Sequence, residues 1–403
     1  MVRPVRSGAA VPRAGPAHRL EASPEYRSAD VRGGAARRRL ALSEPDVRFA
    51  RLRLIRSANV GPVSYMQLVA RFGGAAAALD ALPDLARRGG GRTPVIADER
   101  MVVREIAQVE KLGARYLFRD DADYPPLLDQ LDNAPAALIL RGDSALMARP
   151  CIAMVGARNA SAAACRFARQ LSQGLAGQGL TVVSGLARGI DTQAHIGAID
   201  GGTAGVIASG IDIAFPPENA ELQEAVANRG LLIAEQPPGT EPRARHFPYR
   251  NRIIAGLSLG TVVVEAAPKS GSLITARLAG EAGREVMAVP GSPLDPRAQG
   301  CNMLIREGAT LVQSAADIIE MIRPIDARAV RSPSSSFGGA PPAADASDVE
   351  RRNVAGLLGP VPVAVDELIR QSGHAPAAVQ TVLLELELAG RLERHAGGRV
   401  SLA

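Results

Sequence analysis

Residues 151–191 read CIAMVGARNASAAACRFARQLSQGLAGQGLTVVSGLARGID. Two short apolar runs, Ile152–Val155 and Thr181–Ser184, enclose a helix-length segment, Ala162–Leu175, and a glycine-containing turn follows each run. Continuous apolar strands joined by helices are typical of a parallel sheet that is covered on both faces. This stretch therefore predicts a strand–helix–strand unit of a Rossmann-like α/β fold.

The same alternation extends over 113–325. Its further strand-like runs are Ala137–Leu140, Gly205–Ala208, Leu231–Ala234, Thr261–Val264 and Glu285–Val289. In doubly wound sheets, ligands bind beyond the carboxyl ends of the strands. We therefore predict an extended Rossmann-like parallel sheet with its functional site along that edge.

A small helical domain is predicted for 43–112. Phe49, Leu52 and Ile55 recur at helical spacing, and the turn at 59–62 reads Asn-Val-Gly-Pro before a second helix. This order resembles helix-hairpin-helix or SAM-like modules, whose hairpin amides can meet a backbone phosphate. The alternative is a small bundle that only packs on the next domain.

A winged-helix-like domain is predicted for 348–403, after a Ser-, Pro- and Gly-rich linker at 326–347. Three short helices precede a hairpin that turns at Gly397-Gly398. The third helix, Ala377–Leu388, carries Glu385 and Glu387 and no basic residue, although a helix that reads DNA requires cationic or amide side chains. We therefore expect a structural or protein-contact role for this domain.

The net charge of +6 gives little support for a nucleic-acid partner. Residues 1–42 contain nine Arg and three acidic residues, a balance of +6, so 43–403 is formally neutral. We interpret 1–42 as a disordered basic tail. A nucleic-acid interface must therefore be sought in local clusters of charge.

Several classes of protein are not expected. No apolar run reaches the roughly 18 residues of a membrane span, and the amino terminus does not have the pattern of a secretory signal. Cys151, Cys165 and Cys301 are scattered and show no metal-ligand spacing, so neither a disulfide framework nor a zinc site is predicted. These features favour a reduced, cytoplasmic location.

Two of the strand-end turns have features of anion sites. In the turn after Val155, Gly156 permits a tight bend, Ser161 is expected to cap the next helix, and Arg158 with the helix amides is expected to meet a phosphate. The turn after Thr181–Ser184 reads SGLARGID. Here glycines flank a cation, and the final Asp is expected to cap a helix. Its candidate anion-binding residues are Ser184, Gly185 and Arg188.

The third segment, 242–252, reads PRARHFPYRNR and contains four Arg, one His and two aromatic rings without an acid. Aromatic residues form only 3% of the chain, so two rings here are a local enrichment. Cations interleaved with rings suit sequence-tolerant binding of a single strand, because cations meet phosphates and bases stack on rings. The candidates are Arg243, Arg245, Phe247, Arg250, Asn251 and Arg252.

The fourth segment follows Thr261–Val264 and contains Lys269, Ser270 and Gly271. The chain has 47 basic residues, of which only Lys111 and Lys269 are lysines, so a lysine at a strand end beside Ser-Gly-Ser is noteworthy. The segment does not have the spacing of a Walker A loop, and nucleotide hydrolysis is not indicated. Because the four segments follow strands of one sheet, we expect them to form a single anion groove.

Five strings occur in one order: VGARNAS at 155, SGLARGID at 184, PPGTEPRARHFPYRNRIIAGLS at 237, VVVEAAPKSGSLITA at 262 and REVMAVPGSPLDPRAQGCNMLIREGA at 284. Together they resemble the signature run of the DprA/Smf family of DNA-processing proteins, over about 115–325. The family's SAM-like and winged-helix-like flanking domains correspond more loosely to 45–110 and 348–403.

The resemblance implies a non-enzymatic protein without a cofactor. It implies a homodimer that binds single-stranded DNA without sequence preference, shields it and loads the recombinase RecA in natural transformation. Phosphate contacts are implied for Arg158, the 243–245 stretch, Asn251–Arg252 and Lys269, with Phe247 as a base contact. The family commonly has Ser where this chain has Ala157, so one hydroxyl contact is expected to be absent.

The alternative is an enzyme, a LOG-type nucleotide phosphoribohydrolase with a Rossmann-like fold. That class is expected to carry PGGxGTxxE before a late strand. Residues 257–261 read LSLGT, which lacks the double glycine, and Glu265 lies one residue too far along the chain. Single-strand binding is therefore the favoured hypothesis.

Overall fold

The computed structural model describes residues 44–92, 94–327, 345–395 and 397–403. The predicted tail, 1–42, lies outside the described residues, as does most of the predicted linker 326–347. The described residues contain a helical module, a large mixed sheet with helices on both faces, and a winged helix.

The helical module consists of α1 (Glu44–Ile55), α2 (Pro62–Phe72), α3 (Ala75–Arg88) and α4 (Glu99–Lys111). Its first two helices flank the predicted turn, where Gly61 is the N-cap of α2 and Pro62 occupies the first helical position, which suits its fixed φ. Gly73 ends α2 in the left-handed conformation, with φ of 71°. The predicted pair of helices around a Gly-Pro turn is confirmed.

The central sheet has nine strands within the described residues. They are β1 (Arg115–Phe118), β2 (Ala137–Gly142), β3 (Cys151–Gly156), β4 (Thr181–Ser184), β5 (Thr203–Gly210), β6 (Leu231–Gln236), β7 (Gly260–Val264), β8 (Glu285–Ala288) and β9 (Thr310–Leu311). Their spatial order is β1-β2-β6-β5-β4-β3-β7-β8-β9, in which β2 runs antiparallel to both of its neighbours, β1 and β6, and all other neighbouring strands are parallel. The predicted Rossmann-like sheet is confirmed, and its topological switch lies at β3.

The helices of this domain are α5 (Pro126–Asp129), α6 (Ala162–Gly177), α7 (Ile190–Ala198), α8 (Ala220–Arg229), α9 (His246–Leu257), α10 (Gly271–Glu281), α11 (Gln299–Arg306) and α12 (Ala315–Ala327). Side chains of β3 alternate between two cores, as the period of a strand requires. Ala153 packs with α9, α10 and α11 on one face, whereas Ile152 and Met154 pack with α6, α7 and α12 on the other. Because helices cover both faces of the sheet, the ends of the strands are the part of it that can contact a ligand.

The winged helix consists of α13 (Asp348–Gly356), β10 (Val363–Ala364), α14 (Val365–Ser372), α15 (Pro376–Leu388), β11 (Leu392–His395) and β12 (Arg399–Leu402). Ser347 and Glu350 form a capping box at the start of α13. Gly397 and Gly398 both have positive φ, at 74° and 63°, between the two strands of the wing. The predicted order of three helices and a hairpin is confirmed.

Helix α15 packs against the helical module. Leu384 and Leu388 belong to the apolar core formed by α1, α2 and α3, and Asn59 donates a hydrogen bond to the Leu388 carbonyl at 3.1 Å. A carboxylate oxygen of Glu387 would lie 3.4 Å from a Cβ at Gly61, beside the start of α2. The face of the third helix is therefore buried within the chain, in keeping with the structural role predicted from its acidic side chains.

Across the described ranges, each helix is too short or too polar to cross a bilayer.

Candidate nucleic-acid interface

The four predicted segments start from one edge of the sheet. Strands β3, β4, β6 and β7 are parallel members of the same ladder, so their carboxyl ends point the same way. The backbone N–H of Ala157, after β3, donates to the carbonyl of Glu265, after β7, at 2.7 Å. The segment at 242–252 reaches this edge because it begins α9, which packs on β5, β4 and β3.

Glycines allow the turns after β3 and β4 to touch through their backbones. A Cβ at Gly156 would lie 2.0 Å from the Val264 carbonyl, and one at Gly189 would lie 2.2 Å from the Ala157 carbonyl. Gly189 also has φ of 72°, a conformation that disfavours side chains. Gly189 therefore permits the contact between the turns after β3 and β4, and Gly156 permits the close approach of the β3 turn to the end of β7.

The ring of Phe247 is surrounded by two cations and a second ring. The guanidinium carbon of Arg158 lies 5.5 Å from the ring centroid, and that of Arg250 lies 5.9 Å from it. The ring of Phe215 lies 5.8 Å away, is tilted by 55° and is 42% exposed. Arg158 is exposed and Phe247 half-buried, so this cluster presents an aromatic surface beside a free guanidinium.

Phe215 was not among the residues predicted from sequence. It lies between β5 and α8, outside the four segments. The scarcity of aromatic residues, which drew attention to Phe247, was the signal that would have identified Phe215 as well.

Beneath this ring, the oppositely charged side chains of Arg250 and Asp191 are both buried, and each charge stabilises the other. Burial lowers the pKa of Arg250 to about 10, while the charge of Asp191 opposes that shift. The carboxylate of Asp191 accepts hydrogen bonds from the N–H groups of Gly185, at 3.1 Å, and Ala187, at 3.4 Å. Arg250, a candidate contact from the sequence, is therefore a buried support beneath Phe247.

The expected helix cap at Asp191 is also wrong. Helix α7 starts at Ile190 after Gly189, so Asp191 lies inside its first turn. From there its carboxylate points back into the preceding loop and holds the amides of that loop.

The remaining residues of 242–252 lie at the start of α9. Arg243 and Arg245 are exposed, and Asn251 is half-buried. Arg252 is buried and forms an ion pair with Glu235 at 2.6 Å, while its Nη1 atom has no hydrogen-bond partner. The segment 242–252 therefore has two exposed arginines, Arg243 and Arg245, and two buried ones, Arg250 and Arg252.

The second segment, 184–191, contributes backbone groups to the candidate site more than it contributes side chains. The Ser184 hydroxyl is buried and donates to the Met154 carbonyl at 2.7 Å, so it is occupied by the fold. Arg188 is exposed and forms a short ion pair with Glu218. Gly185 lies against Arg250, whose Nη1 would be 1.4 Å from a Cβ at that position.

The fourth segment lies on the α10 side of β7. Lys269 is exposed at a turn with φ of 65°, and Gly271 is the first residue of α10. The hydroxyls of Ser270 and Ser272 hydrogen-bond to each other at 2.6 Å. Lys269 and Ser270 line a groove of about 910 Å³ beside α10. The structure thus brings the first three segments together at Phe247 and Arg250, whereas Lys269 and Ser270 line a separate groove beside α10.

The start of α6 is not free to receive a phosphate. Ser161 caps the helix as predicted, accepting from the Ala164 N–H at 3.1 Å. However, the carboxylate of Glu265 accepts from the N–H of Ser161 at 2.9 Å and from its hydroxyl at 2.5 Å. Because an internal carboxylate fills this positive helix end, the predicted phosphate contact with the α6 amides is wrong.

Family models match almost all of the described chain. DNA recombination-mediator protein A matches 115–323, the DprA-like N-terminal HHH domain matches 45–107, and the DprA winged helix domain matches 338–398. These three ranges correspond to the sheet domain, the helical module and the winged helix.

Individual relatives agree with these models. The chain is 42% identical over 243 residues to the DNA processing protein DprA of Streptococcus pneumoniae, which covers 59% of this chain and 86% of that protein. It is 38% identical over 288 residues to the protein Smf of Escherichia coli, covering 70% and 76%. The X-ray structure of DprA from Streptococcus pneumoniae superposes with a TM-score of 0.53 at 41% identity, covering 56% of this chain and 78% of that one. With its three domains matched in order, the chain belongs to the DprA/Smf family of DNA-processing proteins.

Proposed function

We propose that this protein binds single-stranded DNA at the edge of the sheet, without preference for sequence and without acting as an enzyme. The observation that carries the proposal is the position of Phe247 between Arg158 and Arg250. A ring can stack on any base, and an exposed guanidinium can meet a phosphate, so such a site tolerates every sequence. The DNA-processing names of its relatives support the same substrate.

Within this proposal the residues have different roles. Arg158, Arg243, Arg245 and Lys269 are exposed and contact phosphates, and Phe247 stacks with a base. Arg250 and Gly185 hold the ring and its loop in place from below. Arg188, Asn251, Ser270 and Gly271 border the same path, and Ser184 and Arg252 fix its walls.

Filter binding tests the proposal. Oligo-dT, oligo-dC and a mixed-sequence single strand of equal length should bind with similar affinity, and a duplex of that length should bind more weakly. Bound strands should also resist a single-strand nuclease. Tighter binding to the duplex, or a strong preference among the three strands, would contradict it.

We further propose that the bound strand is passed to the recombinase RecA in the cytoplasm, during uptake of DNA in transformation. The family description, a recombination mediator, supports a recombinase as partner. The expected result is faster assembly of RecA on an oligonucleotide already coated by a single-strand-binding protein, and an unchanged assembly rate would contradict it.

A homodimer is proposed to form at the β9 edge of the sheet. Strand β9 pairs with β8 on one side, and Ile274, Met303 and Leu311 expose apolar side chains in this region. An unpaired sheet edge with apolar neighbours suits a second copy of the chain. Light scattering should give twice the mass of one chain, and Leu311→Arg should reduce it to one.

The competing enzymatic reading, a nucleotide phosphoribohydrolase, would use Glu265 as its acid. That carboxylate is instead engaged at the start of α6, by the amide and hydroxyl of Ser161. Incubation with nucleoside monophosphates is expected to release no ribose phosphate, and turnover would overturn the non-enzymatic proposal.

A further inference from the structure

A cleft of about 350 Å³ separates the helical module from the start of α9. Gly61 and Pro62 of the α1–α2 turn form one wall, and Arg245, Tyr249 and Arg252 form the other. We call this space the hairpin cleft. Its volume is of the order of one nucleotide, and it lies next to the sheet edge.

The charge of the hairpin cleft favours an anion. Its lining contains three arginines, Arg56, Arg245 and Arg252, and one acid, Glu235. Arg56 is paired with Glu105 at 2.7 Å, and Glu235 is paired with Arg252, so Arg245 supplies the exposed positive charge. Helix α9 adds its positive end, because its first turn contains no acidic residue.

Arg252 gives an independent indication of a ligand. The residue lines the cleft and is only 4% exposed, and its Nη1 atom is buried without a hydrogen-bond partner. A buried guanidinium N–H without an acceptor is costly, and a ligand oxygen would remove that cost. Glu235 satisfies the Nη2 atom of the same side chain and leaves Nη1 for another acceptor.

Tyr249 provides a surface for a base. Its ring is 53% exposed, in a chain with few aromatic residues. Phe247 and Tyr249 are two residues apart on α9, so they project from nearly opposite sides of a helix that is roughly 10–12 Å wide. A strand that stacks a base on Phe247 reaches Tyr249 by crossing the start of α9, where Arg243 and Arg245 are exposed.

We propose that the hairpin cleft is a second nucleotide subsite, in which a base stacks on Tyr249 and its phosphate meets Arg245 and Arg252. This inference rests on the single-strand binding proposed above and extends it along the chain of the nucleic acid. It assigns the helical module a role as one wall of the DNA path, through the backbone of its Gly-Pro turn.

Two lengths of oligo-dT test the subsite in the full-length protein. One is short, about two nucleotides, and can occupy only the sheet edge, whereas the other, about twenty, also reaches the cleft. Tyr249→Ala should weaken binding of the longer strand roughly five-fold or more and leave the shorter unchanged, since it removes one stacked base. Tyr249→Phe should restore wild-type affinity for the longer strand. Because Tyr249 is exposed, the melting temperature should be the same in all three proteins.

Phe247→Leu separates the two proposals. It should weaken binding of both lengths, because it removes the stacking surface at the sheet edge. If Phe247→Leu weakens both lengths and Tyr249→Ala weakens neither, the cleft is not a subsite and the sheet-edge site stands. If neither substitution changes affinity, both proposals are overturned.

A free mononucleotide also has a base and a phosphate and could occupy the cleft in place of a DNA strand. Calorimetry with thymidine monophosphate distinguishes these two ligands. Measurable binding that Tyr249→Ala abolishes, together with unchanged affinity for the longer oligo-dT, would show a mononucleotide pocket and overturn the strand path. No binding of the mononucleotide, with the length-dependent loss described above, would support the path.

Discussion

A Cβ atom on Gly185 would lie 1.4 Å from the Nη1 atom of Arg250. The same Cβ would lie 2.8 Å from the Oδ2 atom of Asp191, whose buried negative charge stabilises the Arg250 guanidinium. Glycine at 185 is therefore required for the guanidinium to fill its position under Phe247.

Gly185→Ala is expected to destabilise the protein and weaken its binding of single strands. Arg250 must move within a buried site, and overpacking of this kind typically costs about 1–3 kcal/mol of unfolding free energy. Urea unfolding and oligo-dT binding measure the two effects. Gly177→Ala is the control, because no atom lies within 4 Å of a Cβ there and the last turn of α6 accepts alanine. Equal stability of the two variants would contradict the packing described here.

Phe247→Leu should reduce affinity for oligo-dT roughly five- to 150-fold, because one stacked base contributes about 1–3 kcal/mol. Leucine keeps the apolar contact with Phe215, so the fold should be retained. Phe247→Tyr keeps the ring and should bind as the wild type does. Titration of a fluorescent oligo-dT gives the three affinities, and a leucine variant that binds normally would remove Phe247 from the site.

Glu385→Ala should lower the unfolding free energy by about 1–3 kcal/mol, since it removes two charge-assisted hydrogen bonds from Arg351, which keeps Asp345 and Asp348 as partners. Glu385 is 1% exposed and accepts two hydrogen bonds from Arg351, at 2.8 and 2.9 Å. The exposed pair of Glu367 and Arg370 on α14 is the control, and Glu367→Ala should have no measurable effect. Neither variant should change affinity for oligo-dT, and a specific loss of binding in Glu385→Ala would mean that α15 contacts DNA.

Acidification should destabilise the protein through His195. This side chain is fully buried, with Nδ1 2.8 Å from the Thr203 hydroxyl, and burial lowers its pKa to about 3. An unfolded histidine takes up a proton below its ordinary pKa of 6.5, so between about 6.5 and 3 the unfolded state binds more protons. The unfolding free energy therefore falls as pH drops through this window, by about 2 kcal/mol at about pH 5. Urea unfolding at neutral pH and at about pH 5 should show this loss in the wild type and a smaller one in His195→Asn. An equal loss in both proteins would assign the effect to other groups.

Much of the fold was predictable because buried strands and helices leave strong periodic patterns. The predicted run Thr181–Ser184 coincides with β4, and the predicted third helix of the winged domain coincides with α15 to within one residue. The sequence did not reveal β1, Arg115–Phe118, or β9, Thr310–Leu311. Both lie at the sheet edges and have only four and two residues, too few for a periodic apolar pattern to stand out.

The site was only partly predictable, for a different reason. Arginines are usually exposed, so the sequence could not indicate that Arg250 and Arg252 are internal supports, the first close to Asp191 of α7 and the second paired with Glu235 of β6. The occupation of the α6 start by Glu265, from 104 residues further along the chain, depends on the pairing of β3 with β7. Such partners are set by the tertiary fold, which local patterns of sequence do not specify.

The most direct measurement is the salt dependence of oligo-dT binding for the wild type and Arg158→Ala. Each phosphate that a cation neutralises on a single strand contributes about 0.7 to the slope of log affinity against log salt. Arg158→Ala should therefore bind more weakly with a slope shallower by about 0.7, while Arg352→Ala, an exposed arginine on α13, should match the wild type. If the wild type does not bind oligo-dT, or if Arg158→Ala has the wild-type affinity and slope, the sheet edge is not a single-strand site.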